Sequence, residues 1–166
     1  MRCEGFPFEA GADARVLVLG SMPGIASLRA GQYYAHPRNA FWPIVFSLWD
    51  APLTADYAQR LAFARAHHIA LWDAAHTCER EGSLDADMRR AEPNDFDGLM
   101  AFAPGIHTVL CNGAASHAIV MRCGFAARYG LRVLRMPSTS PAHTMPFEQK
   151  RAAWRVLREA AEEGEA

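Results

Sequence analysis

Residues 15–20 read RVLVLG, and the same cadence returns at HIALWD (68–73), HTVLCN (107–112) and RVLRMP (132–137). Each run is apolar through its middle without strict alternation, as expected of strands covered on both faces. Each closes on Gly, Asp, Asn or Pro, residues that end a strand and open a turn or a cap. Segments of helical character separate them: AFWPIVFSLW (40–49), DYAQRLAFARAH (56–67), DFDGLMAFA (95–103), GAASHAIVMRC (113–123) and PFEQKRAAWRVLREAAEE (146–163). In the last of these Phe147, Trp154, Leu157 and Ala161 fall on one stripe, opposite Arg and Glu. Strands alternating with helices imply an α/β fold, a three-layer α/β/α sandwich around a central four-stranded, mostly parallel sheet. The 166 residues suit a single domain, with an acidic tail from about residue 159 expected to fray.

Ligands of such sheets bind outside the carboxyl ends of the strands. The polar motifs of this chain lie there: GSMPG (20–24), WDAAHTCEREGS (72–83), NGAAS (112–116) and MPSTSPAHT (136–144). Four strand ends are therefore expected to converge on one site.

Composition narrows the function classes. Hydrophobic residues make up 51% and charged residues 21% of the chain, and no apolar run reaches the ~18 residues of a membrane helix. The N-terminus MRCEGFPFEA lacks the apolar centre of a signal peptide, so a cytoplasmic, monomeric protein is expected. The four cysteines, at 3, 78, 111 and 123, form no CxxC, and no HxH or HExxH is present; reduced core thiols and no metal are expected. A net charge of −1 does not advertise a nucleic-acid binder, yet the last eight residues carry four glutamates, and Arg122, Arg128, Arg132 and Arg135 fall between Asp97 and Glu148 without an intervening acid.

LGSMPG (19–24) offers main-chain N–H groups to a ligand, but it is neither GxGxxG nor a P-loop. MPSTSPAHT packs four hydroxyl residues and two prolines into nine positions; its hydroxyls can meet phosphate oxygens or cap the last helix. YYAHPRNAFW (33–42) crowds flat rings, an amide and a cation into ten positions, too polar for a core strand and too aromatic for an idle loop.

Taken in order, GSMPG, YYAHPRNAFW, LWDAAHTCEREGSLD (71–85), LCNGAAS (110–116) and MPSTSPAHT resemble the uracil-DNA glycosylase superfamily, and within it the hypoxanthine-DNA (deoxyinosine) glycosylase branch. AHPRNAFW is also similar to the AHPxNRFW stretch of the mismatch-specific uracil glycosylases. The resemblance spans most of the chain. It implies a monofunctional enzyme, without cofactor, that everts a deaminated base from DNA and hydrolyses its N-glycosidic bond. Two other readings stand beside it: a mismatch-specific uracil glycosylase, and a non-catalytic nucleic-acid or nucleotide binder of the same fold.

By that resemblance Tyr34 stacks on the everted base, and Gly20, Ser21, Met22 and Asp73 contact it. Asn39 orients the attacking water or meets the base edge; capping helix 40–48 is its compatible second role. Met22 stands where the mismatch-specific branch has its catalytic asparagine, and it cannot polarise water. Met136 likewise replaces a histidine that steadies the departing base in several branches, with His143 as the substitute. Asp73, as a carboxylate, would accept the N–H of hypoxanthine or uracil, or cap a turn. His36, Arg38, Ser138, Thr139 and Ser140 are DNA contacts, His36 equally a buttress of its loop. Phe41 and Trp42 are expected in the core, and His76, Glu79 and Arg80 at the rim.

Overall fold

The computed structural model describes residues 1–164. Its centre is a four-stranded sheet of β2 (Val16–Gly20), β3 (Ile69–Asp73), β6 (Thr108–Asn112) and β7 (Arg132–Met136), ordered β3-β2-β6-β7 and parallel throughout. These are the four runs expected from the sequence, each within a residue of its anticipated bounds. Every residue of β2, β3 and β6 is buried, which is why these strands read as unbroken apolar runs. The edge strand β7 is half exposed and tolerates Arg132 and Arg135.

Helices cover this sheet on both sides. Helix α2 (Phe41–Leu48) meets α7 (Phe147–Glu162) through an edge-on contact of Phe41 with Trp154. Arg151 and Arg158 of α7 donate to the carbonyls of Ser47 and Leu48, supplying partners to the last turn of α2. α3 (Tyr57–Ala66) packs on β3. In the other layer α4 (Phe96–Phe102) and α6 (Phe125–Arg128) join by a Phe96–Phe125 stack, rings 3.9 Å apart, beside α5 (Ala114–Cys123).

Several features differ from the expected layout. A second, antiparallel sheet, β1 (Arg2–Glu4), β4 (Ala75–Glu79) and β5 (Arg89–Pro93), forms where the sequence suggested loop, and a short helix α1 (Ile25–Ala30) follows GSMPG. α7 runs to Glu162, into the expected acidic tail, with Ala160 and Ala161 buried against the core, and residues 165 and 166 lie outside the described residues. Phe147, assigned to the buried stripe, is 40% exposed, because the stripe begins to meet the core only at Lys150 and Trp154. The four cysteines carry free thiols. Among the described residues no helix is long and apolar enough to cross a membrane.

Candidate active site

The carboxyl ends of β2, β3 and β6 and the loop after β7 enclose a cavity of about 490 Å³, within the range of small-ligand sites. Gly20, Ser21, Met22, Tyr34, His36, Asn39, Asp73, Ser138, Thr139, Ser140 and His143 all line it.

Its floor is set by the β2–β3 register, which pairs Gly20 with Asp73. A Cβ on Gly20 would sit 2.4 Å from Asp73 Oδ1 and 3.5 Å from Tyr34 Oη, so only glycine lets both side chains close over β2. Asp73 is 4% exposed, and its Oδ2 has no hydrogen-bond partner among the described residues. Burial, seconded by the charge of Asp85 and partly offset by Arg80, lifts this carboxyl to about 7. Its backbone carbonyl accepts from Asn94 Nδ2 at 2.7 Å, fixing the strand end.

The aromatic wall comes from YYAHPRNAFW. Tyr34 adopts φ 57°, a strained backbone for a side chain this large, and stacks on Phe41 with ring centroids 4.1 Å apart. Phe41 and Trp42 are 1% exposed, in the core as anticipated, so Phe41 backs the Tyr34 ring rigidly. The Tyr34 hydroxyl is buried beside Asn112 but makes no hydrogen bond of ordinary geometry; burial and the Asp73 charge raise its pKa, so it keeps its proton. Tyr33 turns inward, donating to the Pro7 carbonyl.

In the turn between these tyrosines and α2, His36 Nδ1 accepts from Arg38 N at 3.0 Å, which leaves Nε2 to carry the proton of a neutral ring. Asn39 Oδ1 accepts from Phe41 N at 3.0 Å. The N-cap of α2 is Ala40 and has no side-chain cap, so Asn39, one residue earlier, is not the cap expected of it; its bond to the first N–H of the helix nevertheless holds the amide in place at the cavity wall.

Opposite lies the loop after β7. Asn112 clamps it twice, Oδ1 accepting from Thr139 N and Nδ2 donating to Thr139 Oγ1, each at 2.9 Å. The Thr139 carbonyl accepts from Ala40 N, tying the two loops together, and Lys150 Nζ donates to the Ser140 carbonyl at 3.0 Å. On the third side Ser21 Oγ donates to Asp85 Oδ1 at 2.6 Å, while Arg80 donates to the Pro23 carbonyl and lies 3.6 Å from Asp85.

Several expectations need correcting. Thr139 lines the cavity but is 1% exposed, and its hydroxyl oxygen accepts from Asn112 Nδ2, so its place in this structure is to position the loop. Arg38 lies outside the cavity, exposed on the surface beside it, where a contact to the DNA backbone and not to the base is open to it. Arg80 is buried beneath the GSMPG turn, and His76 and Glu79 point to solvent from β4; none of the three forms the rim. Reading the sequence missed Asn112 and Asp85. Asn112 carried the same signal as Asp73, a polar residue closing an apolar strand, whereas Asp85 becomes visible only through its contact with Ser21. Among the described residues no three His, Cys, Asp or Glu side chains gather to hold a metal ion.

Comparison with known proteins gives the chain a family. The family model described as the uracil DNA glycosylase superfamily matches residues 6–158. A protein named hypoxanthine DNA glycosylase from Methanosarcina barkeri (strain Fusaro) is 33% identical over 157 residues, 93% of this chain and 96% of that one. Its counterpart from Methanosarcina acetivorans is 31% identical over 92% and 96% of the two chains. The solution NMR structure of a candidate uracil DNA glycosylase from Methanosarcina acetivorans superposes with a TM-score of 0.84, at 28% identity, over 98% of this chain and 99% of that chain. The chain belongs to the uracil DNA glycosylase superfamily.

Proposed function

We propose that the protein is a monofunctional DNA glycosylase that removes a deaminated base, hypoxanthine foremost and uracil second, and leaves an abasic site. The observation that carries this is one cavity holding the Phe41-backed ring of Tyr34, the Asn39 amide and the Asp73 carboxyl together. The names of the two Methanosarcina relatives point to the same base.

In this reading the nucleotide is everted from DNA and its base enters the slot, packed against Tyr34 and meeting Asp73 at its edge. Ser138, Ser140, His36 and Arg38 hold the flanking backbone, with the serine oxygens already committed to loop N–H groups and their own protons free to donate. Asn39, its oxygen anchored on Phe41 N, places water against C1′ of the sugar. The bond breaks towards an oxocarbenium-like sugar and a base anion, whose ring is met by the N–H groups of the Ser21–Gly24 turn and by His143 at the mouth. Lys150, the only lysine, is buried and bonded to the Ser140 carbonyl, so no amine is offered as a Schiff-base nucleophile. The protein acts on DNA as a monomer.

The test is alkali-induced strand cleavage of oligonucleotides carrying inosine, uracil or xanthine. Asn39→Ala should lower single-turnover base release from inosine by about 10²–10³-fold while DNA binding persists. An equal, residual rate for both proteins on every damaged base would favour a non-catalytic binder.

A further inference from the structure

The floor of the cavity keeps two buried polar atoms without a hydrogen-bond partner among the described residues, Tyr34 Oη and Asp73 Oδ2. Both belong to side chains that close over Gly20, one from the aromatic turn and one from the end of β3. Native proteins rarely leave buried polar atoms unpaired, and two at the bottom of one ligand-sized slot are positioned for a ligand's edge.

The charges around Asp73 decide which form of it a ligand meets. Asp85, from the 3-10 turn Asp85–Asp87, faces it with like charge. Arg80 favours ionisation, but its guanidinium is drawn to the Pro23 carbonyl and to Asp85. Tyr33 and Tyr34 present phenols that burial keeps protonated. β2 contributes only Gly20, and Asn94 bonds the backbone carbonyl of Asp73. A carboxyl 4% exposed, with no cation in direct contact, is best satisfied in its neutral form.

We propose that Asp73 reads the base as a neutral carboxylic acid, donating its O–H to the exocyclic oxygen while its other oxygen accepts the adjacent ring N–H. This rests on the glycosylase reading above and deepens it. Hypoxanthine and uracil both present an oxygen beside a ring N–H, the lactam edge that deamination creates. An ionised carboxylate would accept the N–H but oppose the oxygen with its charge. The acid form, present up to about pH 7, satisfies both. As the glycosidic bond breaks, its electron pair enters the base and charge gathers on that oxygen, so the Asp73 hydrogen bond strengthens toward the transition state without the proton having to leave. Tyr34 Oη stands beside it as a second donor.

The experiment is single-turnover release of hypoxanthine from an inosine oligonucleotide between pH 5.5 and 9, for the wild type, Asp73→Asn and Asp73→Ala. Asparagine keeps a donor and an acceptor in the same shape and cannot ionise. The wild-type rate should fall by about tenfold per pH unit above about pH 7. Asp73→Asn should show a lower but pH-independent rate, overtaking the wild type at the alkaline end. Asp73→Ala should be about 10²-fold or more below the wild type at pH 6. A wild-type rate that stays flat or rises through pH 7, or an Asp73→Asn protein as slow as Asp73→Ala while retaining its near-UV circular dichroism, overturns the proposal. Absence of wild-type base release from inosine, uracil and xanthine at every pH would instead remove the glycosylase reading, and this inference with it. Binding of free hypoxanthine is a second readout, expected to weaken above the same pH in the wild type and not in Asp73→Asn.

Discussion

Asp73, which lines the cavity, shows how a single residue can be costly to the fold. Its carboxyl titrates near 3.8 when exposed in the unfolded chain and near 7 in the folded protein, chiefly because burial disfavours the charge. Between those values the folded protein holds a proton that the unfolded chain has lost. Stability contributed by the acid form is complete below pH 4 and is lost as the pH climbs to about 7. Above that, a buried charge without a direct cation partner remains, a penalty on the order of a few kcal/mol. Asp73→Asn should therefore melt at a higher temperature than the wild type at pH 8, and the difference should shrink steadily toward pH 4. Thermal denaturation at a series of pH values checks this; a variant that is less stable at pH 8 would mean that Asp73 has a compensating partner. The strain at Tyr34, φ 57° beneath a stacked ring, lies at the same spot. Both liabilities belong to residues that face the cavity, and neither improves the packing of the core.

At the scale of elements, the loop after β7 is held by its neighbours more than by its own sequence. Asn112, at the end of β6, gives Thr139 two hydrogen bonds, at its N–H and its hydroxyl, in a buried place. Asn112→Ala strands a buried N–H and a buried hydroxyl and should cost about 2–4 kcal/mol in urea denaturation. Because Thr139 in turn accepts from Ala40 N, the variant should also disturb the segment carrying Asn39 and slow base release. Asn112→Asp keeps the bond from Thr139 N and loses the donor, so it should fall between the two; a loss equal to that of alanine would show that the N–H bond carries nothing. This coupling also marks how far the sequence can be read. β2, β3 and β6 were legible because burial on both faces demands an unbroken apolar run, and their polar last residues pointed to the cavity. The small sheet was not legible. β5, RRAEP, is charged, mostly exposed and ends in proline, and β4 carries its alternation in AHTCE, inside a stretch that also reads as turn. Thr139 looked like a phosphate ligand because a hydroxyl in a Pro-stiffened loop has that chemistry; only Asn112, 27 residues away in the chain, commits it elsewhere.

The whole molecule joins two bodies of unequal strength through the cavity. The parallel sheet is sealed by helices, with Trp42 and Trp154 at 1% and 0% exposure. The antiparallel sheet has one short N-terminal strand, one exposed strand and register irregularities between β4 and β5. Such a unit opens locally at a lower free energy than the global transition. Its opening reaches the site directly. Arg80 follows β4, donates its N–H to the carbonyl of Met1 just before β1, and holds the Pro23 carbonyl of the GSMPG turn; Asp85, bound to Ser21, lies in the connection between β4 and β5. Releasing β1 and β5 thus frees one wall of the cavity while the core keeps its packing. In a urea titration, base release should be lost at a lower midpoint than tryptophan fluorescence, and amide hydrogens of β4 and β5 should exchange at urea concentrations that leave β2, β3 and β6 protected. Coincident midpoints by activity, fluorescence and exchange would show that the small sheet is part of the global cooperative unit, and that the wall it supports is as stable as the core itself.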